Sequence, residues 1–129
     1  MQPSDNEPAG KRLAVVAASL FVVNLTLAPG IAFALISWLW LRQRHNAPLL
    51  ARNHINQAFH VSLRGAALLL IACAIIIIGG GFNQPWTWVM VVIYFTCIHS
   101  TLVVCGCLAM ARAMSGQSYR FPLIGVPHE

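Results

Sequence analysis

The sequence predicts an all-α integral membrane protein, and three observations carry that prediction. Hydrophobic residues make up 58% of the 129 positions and charged residues only 9%, against about 25% charged in ordinary soluble domains. The apolar residues form long runs, at about 13–41, 65–82 and 86–111. The charges gather at the ends of those runs, above all in the connector 42–64, which holds Arg42, Arg44, Arg52 and Arg64 and no acid. The length allows one domain. A soluble fold this small leaves too much surface in water to hide so many apolar side chains, so lipid covers part of it.

The predicted architecture is three transmembrane helices and a basic amphipathic cytoplasmic helix. They form a single helical membrane domain at 11–113, between a disordered polar tail at 1–10 and a cytoplasmic tail at 114–129. The opening MQPSDNEPAG is polar, with two prolines and no apolar period. Lys11 and Arg12 then introduce the first run in the manner of a signal peptide, but the run continues well past Pro29-Gly30, so cleavage is not expected. As one helix, Leu13 to Leu41 would be about 43 Å long, more than the ~30 Å hydrocarbon core. Pro29 removes an internal hydrogen bond and kinks or breaks it. A single tilted span kinked at Pro29-Gly30 is the expectation. The alternative is a hairpin whose second arm, Ile31 to Leu41, reaches only ~16 Å.

Pro48 suits the first turn of a new helix, with Asn46 as its cap. Asn53, Gln57, His60 and Arg64 then follow i, i+4, i+7, i+11 spacing and make a polar stripe, with Ile55, Phe59 and Leu63 roughly opposite. That amphipathic pattern fits a helix lying on the membrane surface before the chain dives. There Arg42, Arg44, Arg52 and Arg64 meet anionic headgroups, worth about 1 kcal/mol each near the surface.

The second span runs from Gly65 to about Phe82 and ends at Gly79-Gly80-Gly81. Asn83-Gln84-Pro85 makes an uncharged turn, and Trp86 and Trp88 sit at the interface where amphipathic rings collect. The third span stops at Arg112. Beyond it Tyr119, Phe121, Leu123 and Ile124 are expected to fold back on the bilayer or the helices. With the basic connector in the cytoplasm, three spans put the amino terminus outside, against the vote of Lys11 and Arg12; a hairpin at Pro29 would put it inside. The expected location is the bacterial inner membrane, with several passes.

Few residues carry chemistry. The acids Asp5, Glu7 and Glu129 all lie in terminal segments, so no membrane carboxylate serves as base or ligand, and no enzyme activity is expected. His99 falls midway along Trp86–Arg112, where an ionisable group is a candidate functional site by default. It reads either as a neutral imidazole bonded to Asn24 or Thr26 or as a haem or metal ligand. His45, His54 and His60 lie at the cytoplasmic rim, too far from its depth to bracket one iron with it. His54 and His60, six residues apart, do not share a helix face. Cys105 and Cys107 diverge by about 200° and read as small, soft core residues. No cofactor and no metal site are therefore expected. Asn24-Leu25-Thr26, a glycosylation sequon by pattern, lies in an apolar run and reads as packing polarity.

Two stretches carry a resemblance. PGIAFALISWLWLRQRHNAPLLARNHINQAFHVSL, with His54, Ala58 and Phe59, and ARAMSGQSYRFPL, with Ala113, Gly116, Tyr119, Arg120, Phe121 and Pro122, resemble a group of small bacterial membrane proteins of unknown function. That group is distantly similar to the chloroplast inner-envelope protein-import component. His60 stands where the group usually has Asn, and Asn56-Gln57 where it usually has a charged pair. The resemblance covers about 29–124 and implies a membrane-embedded helical unit without established chemistry. The function expected is a non-enzymatic accessory or scaffold subunit packing against itself or another membrane protein. Ala14, Ala17, Ala18, Gly65, Ala67 and Gly106 would allow close helix contact. One rival is a redox or metal-carrying subunit using His99 at an oligomer interface; a second is a small transport or import component. No nucleic acid is expected as a partner, because the cations flank apolar runs.

Overall fold

The computed structural model describes residues 7–126, and the residues of the polar tail before Glu7 lie outside it. Four helices follow in order: α1 Glu7–Thr26, α2 Ile31–Gln43, α3 Leu49–Gly80 and α4 Pro85–Met114. No strand occurs among the described residues.

The first apolar run is two helices rather than one kinked span. Gly30 takes a positive φ of 87°, a conformation that a β-carbon disfavours, and Pro29 beside it cannot donate. Asn24 secures the turn, its Oδ1 accepting the Gly30 N–H at 3.3 Å. The chain reverses here. Gly10 near the start of α1 lies so close to Pro48, just before α3, that a Cβ built on it would be 2.9 Å from the Pro48 ring. The chain therefore returns to its starting level by the end of α2, and α1 and α2 form the hairpin. The expected count of three spans is corrected accordingly. Only α3 and α4 are long and apolar enough to cross a membrane. The thirteen residues of α2 reach about 20 Å, and the uncharged part of α1, Leu13–Thr26, about 21 Å.

The surface helix is corrected as well. Residues 49–64 do not lie apart from the second span but are the first half of α3, an unbroken 32-residue helix about 48 Å long. Its buried positions run from Ala51 to Gly65, and none lies beyond. In α4 the buried positions are Thr87 and then Leu102–Ala113. The molecule thus has a packed half, where α1 lies on α3 and α4 and α2 on α1 and α3, and a bare half, where α3 and α4 continue as a pair.

Small residues set the packed half. Ala14, Ala17 and Ala18 of α1 are buried, and Gly106 of α4 admits Phe21, whose ring would lie 2.9 Å from a Cβ there. Gly65 similarly admits Leu102, whereas Ala67 is exposed. On the other side Trp40 of α2 stacks on Phe59 with centroids 4.3 Å apart, and its indole Nε1 donates to Asn56 Oδ1 at 2.9 Å. In the bare half Ile78 is 84% and Trp86 72% exposed, which leaves an apolar surface that water would not tolerate.

Candidate functional site: a polar clasp on the carboxyl-terminal tail

α4 ends in a Schellman motif. Gly116, with φ 72°, donates to the Ala113 carbonyl, and Gln117 N–H reaches back to the Arg112 carbonyl at 2.8 Å. The turn sends the tail along the first half of α3, whose polar side chains take hold of its backbone.

His54 Nε2 stands 2.9 Å from the Gln117 carbonyl oxygen. A carbonyl only accepts, so Nε2 carries the proton and donates. His54 is 1% exposed, and its Nδ1 is buried with no hydrogen-bond partner among the described residues. Asn53 Oδ1 accepts the Tyr119 N–H at 2.9 Å. Gln57 grips twice, its Nε2 donating to the Val126 carbonyl at 2.6 Å and its Oε1 accepting the Phe121 N–H at 3.4 Å. Arg64 Nη1 donates to the carbonyls of Ile124 and Gly125 at 2.9 and 3.3 Å. Arg112 adds a bond to Gln117 Oε1 at 2.8 Å.

Apolar contacts complete the grip. Phe121 is buried and meets Phe21 edge-on, centroids 4.9 Å apart, with Tyr119 on its other side at 5.0 Å. Gly125 passes so near Phe121 and Gln57 that a Cβ would lie 2.5 Å from the Phe121 oxygen and 2.8 Å from Gln57 Oε1. Burial first, and then the neighbouring Cys105 thiol, push the Tyr119 phenol above its usual range, while Arg112 pulls the other way.

Three of the four stripe residues, Asn53, Gln57 and Arg64, thus hold the tail. His60 does not; it faces Trp40 and Phe59 edge-on. The motif residues His54, Ala58 and Phe59 line the packed half, and Gly116, Tyr119, Arg120 and Pro122 belong to the tail that meets it. Two sequence stretches that stood apart are one structure. The arginines divide. Arg42 lies over Trp38 and Arg44 over Trp40, whereas Arg52 donates to the His45 and Ala47 carbonyls and Arg64 to the tail.

The structure brings no metal centre together: among the described residues no three His, Cys, Asp or Glu side chains come near one another. His99 does not bond Asn24 or Thr26 as expected. Thr26 Oγ1 donates to the Val22 carbonyl at 2.8 Å, Asn24 caps its own turn, and His99 instead stacks on Phe95 with centroids 5.4 Å apart. All four cysteines are free; Cys105 is buried, whereas Cys107, expected in the core as well, is exposed on the other side of the helix. Sequence reasoning assigned the stripe to the membrane surface and missed its partner. The signal available was a tail rich in Gly, Pro and aromatic residues, with backbone to satisfy and no partner of its own.

A four-helix unit with a clasped polar end and a bare apolar pair defines a small helical membrane protein. The chain belongs to the MamF/MmsF family, the Magnetosome magnetite crystal formation protein family, whose profile matches residues 10–127. This is a small bacterial membrane protein family. No curated protein and no solved structure matches the chain, and the distant likeness to the chloroplast import component has no support from these comparisons.

Proposed function

We propose that the protein is a non-enzymatic accessory or scaffold subunit of a membrane complex that serves magnetite crystal formation, the process its family is named for. It resides as a multi-pass protein in a bacterial inner membrane, with the clasped end in the cytoplasm. The observation that carries the reading is the division of the molecule into a bare apolar helix pair and a packed, polar end. The bare half is overwhelmingly apolar along both helices, which suits lipid or another membrane protein.

Charge supports the orientation. Lys11, Arg12, Arg42, Arg44, Arg52, Arg112 and Arg120 lie on segments that meet at the clasped end, and the turns at 27–30 and 81–84 carry no charge. The hairpin brings Gly10, beside Lys11 and Arg12, next to Pro48 of the basic connector, so all these cations would share one side of the membrane and the conflict over Lys11 and Arg12 would go. The chain is poor in mineral ligands, because its three acids all lie in terminal segments and hard cations favour oxygen donors. It would act on the crystal through membrane assembly rather than by holding iron.

Purification in mild detergent, followed by mass, metal content and an absorption spectrum, tests this. A colourless, metal-free protein that self-associates or carries a reproducible membrane partner is expected. A Soret band or stoichiometric metal would favour the redox subunit with His99 at an oligomer interface. A lone monomer that moves a solute or polypeptide across vesicles would favour the transport reading.

A further inference from the structure

The packed half is not completely filled. Beneath the α1–α2 turn a cavity of about 200 Å³ lies between α1, α3 and α4, with Phe21, Asn24, Ser62, Phe95, His99 and Leu102 in its wall. Pro29 also lines it, which places it where the hairpin ends and the bare pair begins.

Two polar groups there have nothing to bond. Ser62 is 7% exposed, and its Oγ is buried without a hydrogen-bond partner among the described residues. His99, half-buried, stacks face to face on Phe95 at an interplanar angle of 10°, and its ring makes no hydrogen bond among the described residues. A buried polar group is ordinarily paired, so the unpaired Ser62 Oγ, with the half-buried His99 ring on the same wall, points to an absent occupant. No charged side chain lines the space, and a charged guest would be desolvated without compensation. The guest is therefore neutral, with one or two hydrogen-bonding atoms.

Size and access narrow it further. An apolar cavity of about 150 Å³ accepts a benzene ring, whereas sites for drug-sized molecules begin at about 300 Å³. This cavity therefore takes one substituted ring. Pro29, Ala66 and Phe95 on its lining are exposed, so a tail attached to the ring can leave into the surrounding lipid. The aromatic rings of Phe21, Phe95 and His99 suit a planar guest.

We propose that this cavity binds the ring of a quinone-class lipid, whose carbonyl oxygens accept hydrogen bonds from Ser62 and His99 while its tail lies in the bilayer. The site depends on the membrane placement of α3 and α4 and not on the scaffold role, so either reading can fail alone.

The test is titration of the full-length protein in lipid nanodiscs with decylubiquinone, with empty nanodiscs as the partition control. Saturable binding of one molecule per chain is expected, weakened at least tenfold by Ser62→Ala and by His99→Phe. The second variant keeps an aromatic ring against Phe95, and an unchanged helical signal and elution volume show that it folds. Uptake equal to that of empty nanodiscs overturns the proposal, as does binding indifferent to both substitutions. Equal competition by decanol, which has the chain and no ring, also overturns it and makes the cavity an acyl-chain or water site.

Discussion

His54 donates its Nε2–H to the carbonyl of Gln117, 63 positions later, at 2.9 Å. The bond joins the start of the longest helix to the turn that follows the last one. Loss of a buried donor strands the partner carbonyl at a cost of about 1–3 kcal/mol. His54→Ala should therefore leave the protein in the membrane while exposing residues 115–126 to protease. Limited proteolysis followed by mass spectrometry reads the cleavage sites; a tail as resistant as in the parent would show that the clasp does not depend on His54.

Gly125 tests the other end of the same clasp. A methyl group there would collide with Phe121 backbone and Gln57 Oε1, neither of which can move without breaking the Gln57 bonds. Gly125→Ala should detach the end of the tail and leave the helical content unchanged. Limited proteolysis of the segment after Phe121, compared with and without Gly125→Ala, would report the detachment; equal resistance would show that the close passage at Gly125 does not hold the tail.

Gly106 governs the approach of α1 to α4. A Cβ there would lie 2.9 Å from the Phe21 ring, and overpacking of a filled interface costs typically about 1–3 kcal/mol. Gly106→Val should lower the thermal midpoint in detergent, and Phe21→Ala in the same chain should recover part of the loss. Recovery absent, the close contact is not what the glycine serves.

Tyr119 predicts an alkaline limit. Its phenol titrates above its ordinary value of 10.0 because burial and Cys105 disfavour the phenolate. A group whose folded value is raised contributes stability that is complete below the unfolded value and disappears as pH rises through the folded one. The tail should stay clasped to about pH 10 and loosen above it, and Tyr119→Phe should abolish that step. Phenolate absorbance recorded alongside protease resistance checks both.

The hairpin at Pro29-Gly30 makes a prediction about sides. Tags at the two ends should be digested together, in vesicles that expose the basic face. Digestion of only one would restore a spanning first helix and an amino terminus on the opposite side.

The polar stripe shows how far local pattern reaches. Asn53, Gln57 and Arg64 are legible as one helix face from their spacing, because helical period is a property of neighbours in sequence. What covers that face is not legible, since water, headgroups and a peptide backbone all satisfy the same donors. Trp40 is similar: nothing in its local sequence names its partners, yet it is stacked on Phe59 and bonded to Asn56. His99 could be placed in depth by counting residues, but its stacking partner and the cavity beside it depend on three helices meeting.

The sequence by itself determined that this chain is helical, that its apolar runs belong in a membrane, and that its positive charge lies at the ends of those runs. Composition and period suffice for that, because each residue's preference for lipid or water acts where it stands. Tertiary structure alone decided that the chain turns back at Gly30 and that α3 runs unbroken from Leu49 to Gly80. It also decided that the stripe on α3 holds the tail. Those outcomes rest on contacts between residues far apart in sequence, such as Gly10 with Pro48 and Gln57 with Val126, whose energies no local pattern contains.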